Sequence, residues 1–364
     1  MIKALFYLGH PAHFHLFRNA ISKLDRKEYV VVIKTKDVLQ KLCDEAGINY
    51  INVDPVAIKP GGSGLGKYLK MLRRAFRLSR LVRKYRPQRL VGSAAELAVL
   101  GKLHGIKSFI FFEDDCEKVP FFARIAGPFA DYLICPDCCS AWKWSDKKVS
   151  YSSYHELAYL HPNVFTPDPK KVKSIFKEGE RNFILRFSEL GAYHDKNKSG
   201  IHDQLALELI NVLRSKGNIF VSSERKLSAE LEPFRIKIPA SDVHHALYFA
   251  DMFVGDSQTM SAEAAVLGTP SIRFNDFVGE LGYLEDLEHV YGLTKGIRTS
   301  QQDQLLSVCR EWSELKYGRT DWKERRDKML NEKSDFSKCI SWILTCEPGD
   351  KSCISQISET MRFQ

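Results

Sequence analysis

The chain predicts an α/β protein made of two doubly wound, Rossmann-like halves. Three observations carry this: continuous apolar strand-like runs, helix-like segments alternating with them at short spacing, and a second series of the same kind after an aromatic, proline-rich connection. Its 364 residues suffice for two domains, each with its own core. A hydrophobic share of 44% and a charged share of 27% are those of a soluble globular protein. The expected division is 1–160, 161–320 and a helical tail over 321–364.

Lys3–Leu8 reads as a buried first strand, not a signal peptide, because it is short and ends in Gly9-His10-Pro11 without a cleavage site. Gly9–His15 reads as the loop after it. Phe14, Phe17, Ile21 and Leu24 then fall at helical spacing. Tyr29–Lys34 is a continuous apolar run of the kind parallel sheets bury. Asp37–Ala46 reads as a helix stopped by Gly47, and Ile48–Val53 as a third strand. Lys59–Gly66 is a glycine-rich loop, but no Gly-Lys-Ser/Thr follows, so a nucleotide-triphosphate loop is excluded. Gln88–Val91 and Lys107–Phe112 continue the strands around a helix at Ala94–Leu103, and Tyr132–Cys135 reads as the last strand of this half.

Tyr151–Asp168 reads as the connection between the halves. Strands at Phe183–Phe187, Ile219–Ser222 and Phe234–Ile238 and helices at Ile201–Lys216, Leu227–Leu231 and Val243–Phe249 form the second series. It culminates in Met252–Val254, Gly255-Asp256-Ser257 and a helix ending at Gly268, followed by Ser271–Phe274. A strand-turn-helix of this form leaves amide groups unpaired at the helix start, which suits a diphosphate. Ser257 can cap the helix, and Glu263, two turns in, can accept from ribose hydroxyls. The competing reading is a capped crossover helix with no ligand. Gln301–Leu344 reads as helices packing back across the boundary. Two such halves predict a cleft between them where ligand binds.

The net charge of +9 is concentrated in Lys67–Arg86, a basic helix with interleaved Leu69, Leu72, Phe76, Leu81 and Val82. It is either a solvated surface helix or one that lies on anionic phospholipid at the inner membrane face. No nucleic-acid motif accompanies it. No apolar run reaches transmembrane length. Nine scattered cysteines predict reduced thiols and a cytoplasmic protein, and Cys135-x-x-Cys138 lacks the second pair a zinc site needs.

Several stretches together resemble a known family. They are Gly9–His13, Tyr154–Pro162, Gly191–Asp195, Ser222–Glu224, Gly255–Glu263 and Gly279–Leu284. The set resembles a prokaryotic family catalogued as a domain of unknown function, similar to GT-B glycosyltransferases and to non-hydrolysing UDP-N-acetylglucosamine epimerases. The resemblance implies a GT-B-like fold with the nucleotide sugar held mainly by the C-terminal domain. The epimerase motif Asp-Ser-Gly-Gly-x-Gln-Glu-Glu falls on Asp256–Glu263. There Ser257 matches the diphosphate serine and Glu263 the ribose glutamate, while Gln258, Thr259, Ser261 and Ala262 depart from it. The epimerase's acidic motif falls by position near Glu113-Asp114-Asp115.

An inverting glycosyl transfer needs a base for the acceptor hydroxyl and positive groups or dipoles at the leaving diphosphate. His13 is the first candidate base, with His10 and His15 competing and a structural hydrogen-bonding histidine as the alternative. Asp114 is the second candidate, its alternative being a solvated acidic turn. Arg186 and His194 are candidate phosphate ligands or members of a salt-bridged loop. Ser222, Ser223 and Glu224 either line the nucleotide site or cap a strand end, and Gly255, Asp256, Gln258 and Thr259 complete the candidate seat. No Asp-x-Asp motif ends a strand, so a metal-independent reaction without cofactor is expected. The expected donor is a nucleotide sugar, a UDP-sugar foremost, and the acceptor a glycan or a lipid-linked glycan. A nucleotide-sugar epimerase or hydrolase, or a binding protein without turnover, are the alternatives.

Overall fold

The computed structural model describes residues 2–35, 38–54, 64–177, 179–188, 200–315, 318–350, 352–354 and 356. His194 and the rest of Gly191–Asp195, with Lys59–Ser63 of the glycine-rich loop, lie outside these residues. The chain divides into two compact units, residues 1–159 with 333–364, and residues 160–332.

The first unit runs β1 (Ala4–Leu8), α1 (Pro11–Ile21), β2 (Tyr29–Lys34), α2 (Leu39–Glu45), β3 (Tyr50–Asp54), α3 (Gly64–Tyr85) and β4 (Arg89–Gly92). It continues through α4 (Ala95–His104), β5 (Lys107–Phe111), α5 (Pro120–Phe129), β6 (Tyr132–Pro136) and β7 (Lys148–Tyr151) to α6 (Leu157–Leu160). The strands form one parallel sheet in the order β3-β2-β1-β4-β5-β6-β7. All five residues of β1 are buried, as its central place requires.

Two expectations are corrected here. The segment after β1 is not a loop to His15, because α1 already begins at Pro11. Proline at the first helical position brings a preset φ, and the His10 imidazole caps the helix by accepting from Ala12 N at 3.2 Å. Nor is Tyr132–Cys135 the last strand, since the short β7 extends the sheet edge.

The second unit contains β8 (Asn182–Phe187), α7 (Asp203–Leu213), β9 (Asn218–Ser223), α8 (Val243–Phe249), β10 (Met252–Gly255), α9 (Gln258–Val266) and β11 (Ser271–Phe274). It closes with α10 (Gly282–His289), β12 (Thr294–Ile297), α11 (Gln302–Glu314) and α12 (Gly318–Glu332). Its parallel sheet has the order β12-β11-β10-β8-β9. Phe183, Leu185, Leu205, Leu209, Val254 and Ile272 centre its core. The helix and strand expected over Leu227–Ile238 are replaced by turns, a 3-10 turn at Glu232–Phe234 and one bridge between Val221 and Arg235. Five residues before Pro233 are too few to sustain a helix on their own.

The chain then returns to the first unit as α13 (Phe336–Thr345), which packs on α1. Beyond it Cys346 and Cys353 form a disulfide, which corrects the expectation that all nine cysteines are reduced. Among the described residues no helix is long and apolar enough to cross a membrane.

Candidate functional site

In the second unit the chain leaves β8 toward β9 on one side and returns to β10 on the other. The gap beyond the carboxyl ends of β8 and β10 is therefore the topological switch point, where open α/β sheets bind ligands. Gly255 lies in register with Arg186. A Cβ on Gly255 would come within 2.8 Å of Arg186 Cβ and 3.0 Å of its carbonyl oxygen, so only glycine allows this approach.

The turn after β10 feeds α9, whose N-cap is Ser257. Its Oγ accepts from Met260 N at 3.3 Å. Gln258 and Thr259 occupy the half-buried first turn, so the amide groups and positive dipole end there remain approachable. Arg186 projects from β8, donating through Nη1 to Ser222 Oγ at 2.8 Å and through Nη2 to Glu224 Oε1. Three stretches far apart in sequence thus meet at one sheet edge: Arg186, Ser222 with Glu224, and Gly255. Ser223 turns away, its Oγ donating to Arg225 O at 2.8 Å.

Two candidates hold structural partners. Asp256 is buried; its Oδ1 accepts from Ser188 N at 2.7 Å and its Oδ2 from Ile201 N at 3.1 Å. It thereby ties the backbone of Ser188 to that of Ile201. A Cβ on Gly200 would fall 2.4 Å from Oδ2, so that neighbour is restricted as well. Burial pushes the Asp256 carboxyl up, against the pull of the Ser188 and Ile201 amides and the charge of Arg186. Glu263 is buried too, with Oε1 at 3.0 Å from His244 Nε2 of α8.

Sequence reasoning missed Arg273 of β11. It is fully buried, donates to Glu285 at 3.0 Å and lies 3.6 Å from Glu288, both on α10. Glu285 also accepts from Gly279 N at 2.9 Å, and Asn275 Nδ2 donates to Asp256 O at 3.1 Å. Together they fix the segment after β11 beside the α9 turn. A charged residue inside an apolar strand pattern was the available signal.

The first unit has its own switch point, between β1 and β4. His13 stands in the first turn of α1, and its Nδ1 accepts from Gly9 N at 3.1 Å. A backbone N–H is only a donor, so Nδ1 is the acceptor and the proton of the neutral ring sits on Nε2. His15 is buried against the Tyr159 ring, 5.2 Å between centroids. After β5, Asp114 is half-buried, while Asp115 accepts from Ser140 N at 2.6 Å. Glu113 Oε2 lies 3.2 Å from His155 Nδ1. His155 is stacked on Phe336 at 5.6 Å, and burial foremost, with the neighbouring His13 imidazole, pushes its own imidazole down to about 3. The Glu113 carboxylate thus lies beside a neutral ring rather than in an ion pair with it. His155 is the second residue that sequence reasoning did not single out.

Among solved structures, a Listeria monocytogenes protein assigned as a UDP-N-acetylglucosamine 2-epimerase is similar at 14% identity and TM-score 0.67, over 94% of each chain. The Neisseria meningitidis UDP-GlcNAc 2-epimerase bound to UDP-GlcNAc has 12% identity and TM-score 0.55, over 90% of this chain and 100% of that one. A spinosyn rhamnosyltransferase complexed with thymidine diphosphate has 14% identity and TM-score 0.56, over 90% and 96%. The fold is that of the GT-B glycosyltransferases and these epimerases. No curated protein matches the sequence. One family model does, over residues 3–281, and by that match the chain belongs to the family described as protein of unknown function DUF354.

Proposed function

We propose that the protein is a glycosyltransferase that moves a sugar from a nucleotide-sugar donor, a UDP-sugar foremost, to a glycan or lipid-linked acceptor with inversion and without a metal. The observation that carries this is the β8/β10 switch point. The start of α9, capped by Ser257, stands there beside Arg186, Ser222 and Glu224. Support also comes from structural neighbours of the same fold whose bound ligands are UDP-GlcNAc and thymidine diphosphate.

In this reading the α9 dipole and Arg186 stabilise the diphosphate as the bond from the anomeric carbon to its oxygen breaks. Glu224 must yield some of its hold on Arg186 to phosphate. Asp256 acts by holding Ser188 and Ile201, and Glu263 takes the ribose from its place beside His244. Asp114 takes the proton of the acceptor hydroxyl as the new glycosidic bond forms. His13 presents Nε2–H and therefore acts as a hydrogen-bond donor, since the Gly9 amide occupies its other nitrogen.

The second reading, a nucleotide-sugar epimerase, is favoured by the Glu113–His155 pair, a carboxylate and an imidazole at the carboxyl edge of the first sheet. Incubation of the protein with UDP-, GDP- and CMP-sugars separates the two. The transferase reading expects no turnover until an acceptor-bearing membrane extract is added. Nucleotide release or an isomerised sugar without acceptor would establish the second reading instead. If no nucleotide raised the melting temperature, both would fail, because a ligand of the native state must stabilise it.

A further inference from the structure

Helix α3 carries eight Lys and Arg and no Asp or Glu between Gly64 and Tyr85. Its inner side is accounted for. Leu78, Ser79 and Val82 are buried, Arg74 pairs with Glu96, and Arg77 donates to Val53 O. Ser79 Oγ meets His104 Nε2 at 2.8 Å, which ties this side to the end of α4.

The outer side is of a different kind. Leu72 and Phe76, one turn apart, are 61% and 60% exposed. Arg80 continues their line at the next turn, and Arg73, Arg83 and Lys84 flank it, all four cations exposed. Among the described residues none of the four forms a salt bridge. A surface helix that only needed solubility would place polar groups, of both signs, where Leu72 and Phe76 stand. Leu103, beside the His104 contact, adds a third exposed apolar side chain at 70%.

We propose that this face of α3 docks on an anionic phospholipid surface. The cations meet the lipid phosphates while Leu72 and Phe76 enter the boundary between headgroups and acyl chains. Charge complementarity selects this occupant: a face of one sign repels a second copy of itself, and an apolar pair at its centre gives a purely ionic partner nothing to bind. The helix lies on the membrane and does not cross it. Attachment is independent of which sugar reaction the protein performs, so this inference stands or falls apart from that one.

The test is co-sedimentation of the full chain with vesicles of phosphatidylcholine, with and without phosphatidylglycerol, in about 0.1 M salt. Binding is expected only to the phosphatidylglycerol vesicles. Leu72→Ser with Phe76→Ser should weaken partitioning about tenfold, and Arg73→Glu with Arg80→Glu and Arg83→Glu should abolish it. Lysine at the same three positions should retain it, since a surface potential attracts either cation. These are exposed positions, and an unchanged melting temperature will show that the variants fold. Absence of binding to either vesicle, or equal binding to both, overturns the proposal. So does a dimer by light scattering that Phe76→Ser dissociates, or binding to soluble heparin without binding to vesicles.

Discussion

Glu263 of α9 and His244 of α8 meet at 3.0 Å, both side chains almost fully buried. The contact joins the helix at the proposed diphosphate seat to the one preceding it in the chain. A carboxylate held this way is oriented before any ligand arrives, which lowers the ordering cost of binding.

Removing that carboxylate is expected to have two separable effects. Glu263→Ala should lower stability by about 1–3 kcal/mol, because a buried imidazole loses a partner. Both Glu263→Ala and Glu263→Gln should bind UDP about tenfold more weakly, each having lost the charged acceptor for ribose hydroxyls. Calorimetric titration with UDP and thermal melting of each variant read the two effects. Unchanged UDP affinity in Glu263→Gln would leave the residue a purely structural role.

Asp256 is expected to act through the two backbone amides it holds. In Asp256→Ala the amides of Ser188 and Ile201 lose their acceptors, and in Asp256→Asn one of them faces an NH2 group. Hydrogen exchange at those two amides should rise in both variants, while Met260 N, capped by Ser257, keeps its protection. Exchange unchanged at Ser188 and Ile201 would show that the Asp256 carboxylate does not hold those two amides.

The strands were legible because parallel strands buried on both faces leave near-continuous apolar runs. Tyr29–Lys34 falls where it was expected. The turn at Gly255–Ser257 was readable for a similarly local reason, an apolar strand meeting a Ser N-cap. What escaped depends on register between distant elements. Arg186 and Glu224 are 38 residues apart, and Asp256 and Ser188 are 68 apart; no local pattern announces either pair. The start of α1 was hidden because its cap is an imidazole rather than the usual Ser, Thr, Asp or Asn. The polar edge strand β7 has too little alternation to stand out, with only Tyr151 buried.

His155 predicts a pH dependence. Its folded-state value of about 3 lies below the ordinary 6.5, so the unfolded chain binds the proton first as pH falls. Stability of the first unit should therefore be full above about pH 6.5 and decline steadily as pH drops toward 3. Between about pH 6.5 and pH 5 the loss should be roughly 1.5 kcal/mol. Denaturant unfolding of the parent and of His155→Gln across this range measures it, with the shallower slope in the variant. Equal slopes would mean that the Glu113 contact is ionic and the ring protonated in the native state.

His13 predicts a tautomer. With Gly9 N at 3.1 Å from Nδ1, the neutral ring must carry its proton on Nε2. Nitrogen-15 spectra of the imidazole, recorded without ligand, distinguish the two neutral forms by which nitrogen is protonated. The Nε2–H form is expected, and it persists only while the Gly9 amide points at the ring. If turnover is found, His13→Gln, which keeps a side-chain N–H donor, should retain more activity than His13→Ala. Asp114→Asn should cost about 100-fold or more, because an amide takes no proton. A protonated Nδ1 in the spectra would instead leave Nε2 able to accept, and return the role of base to His13.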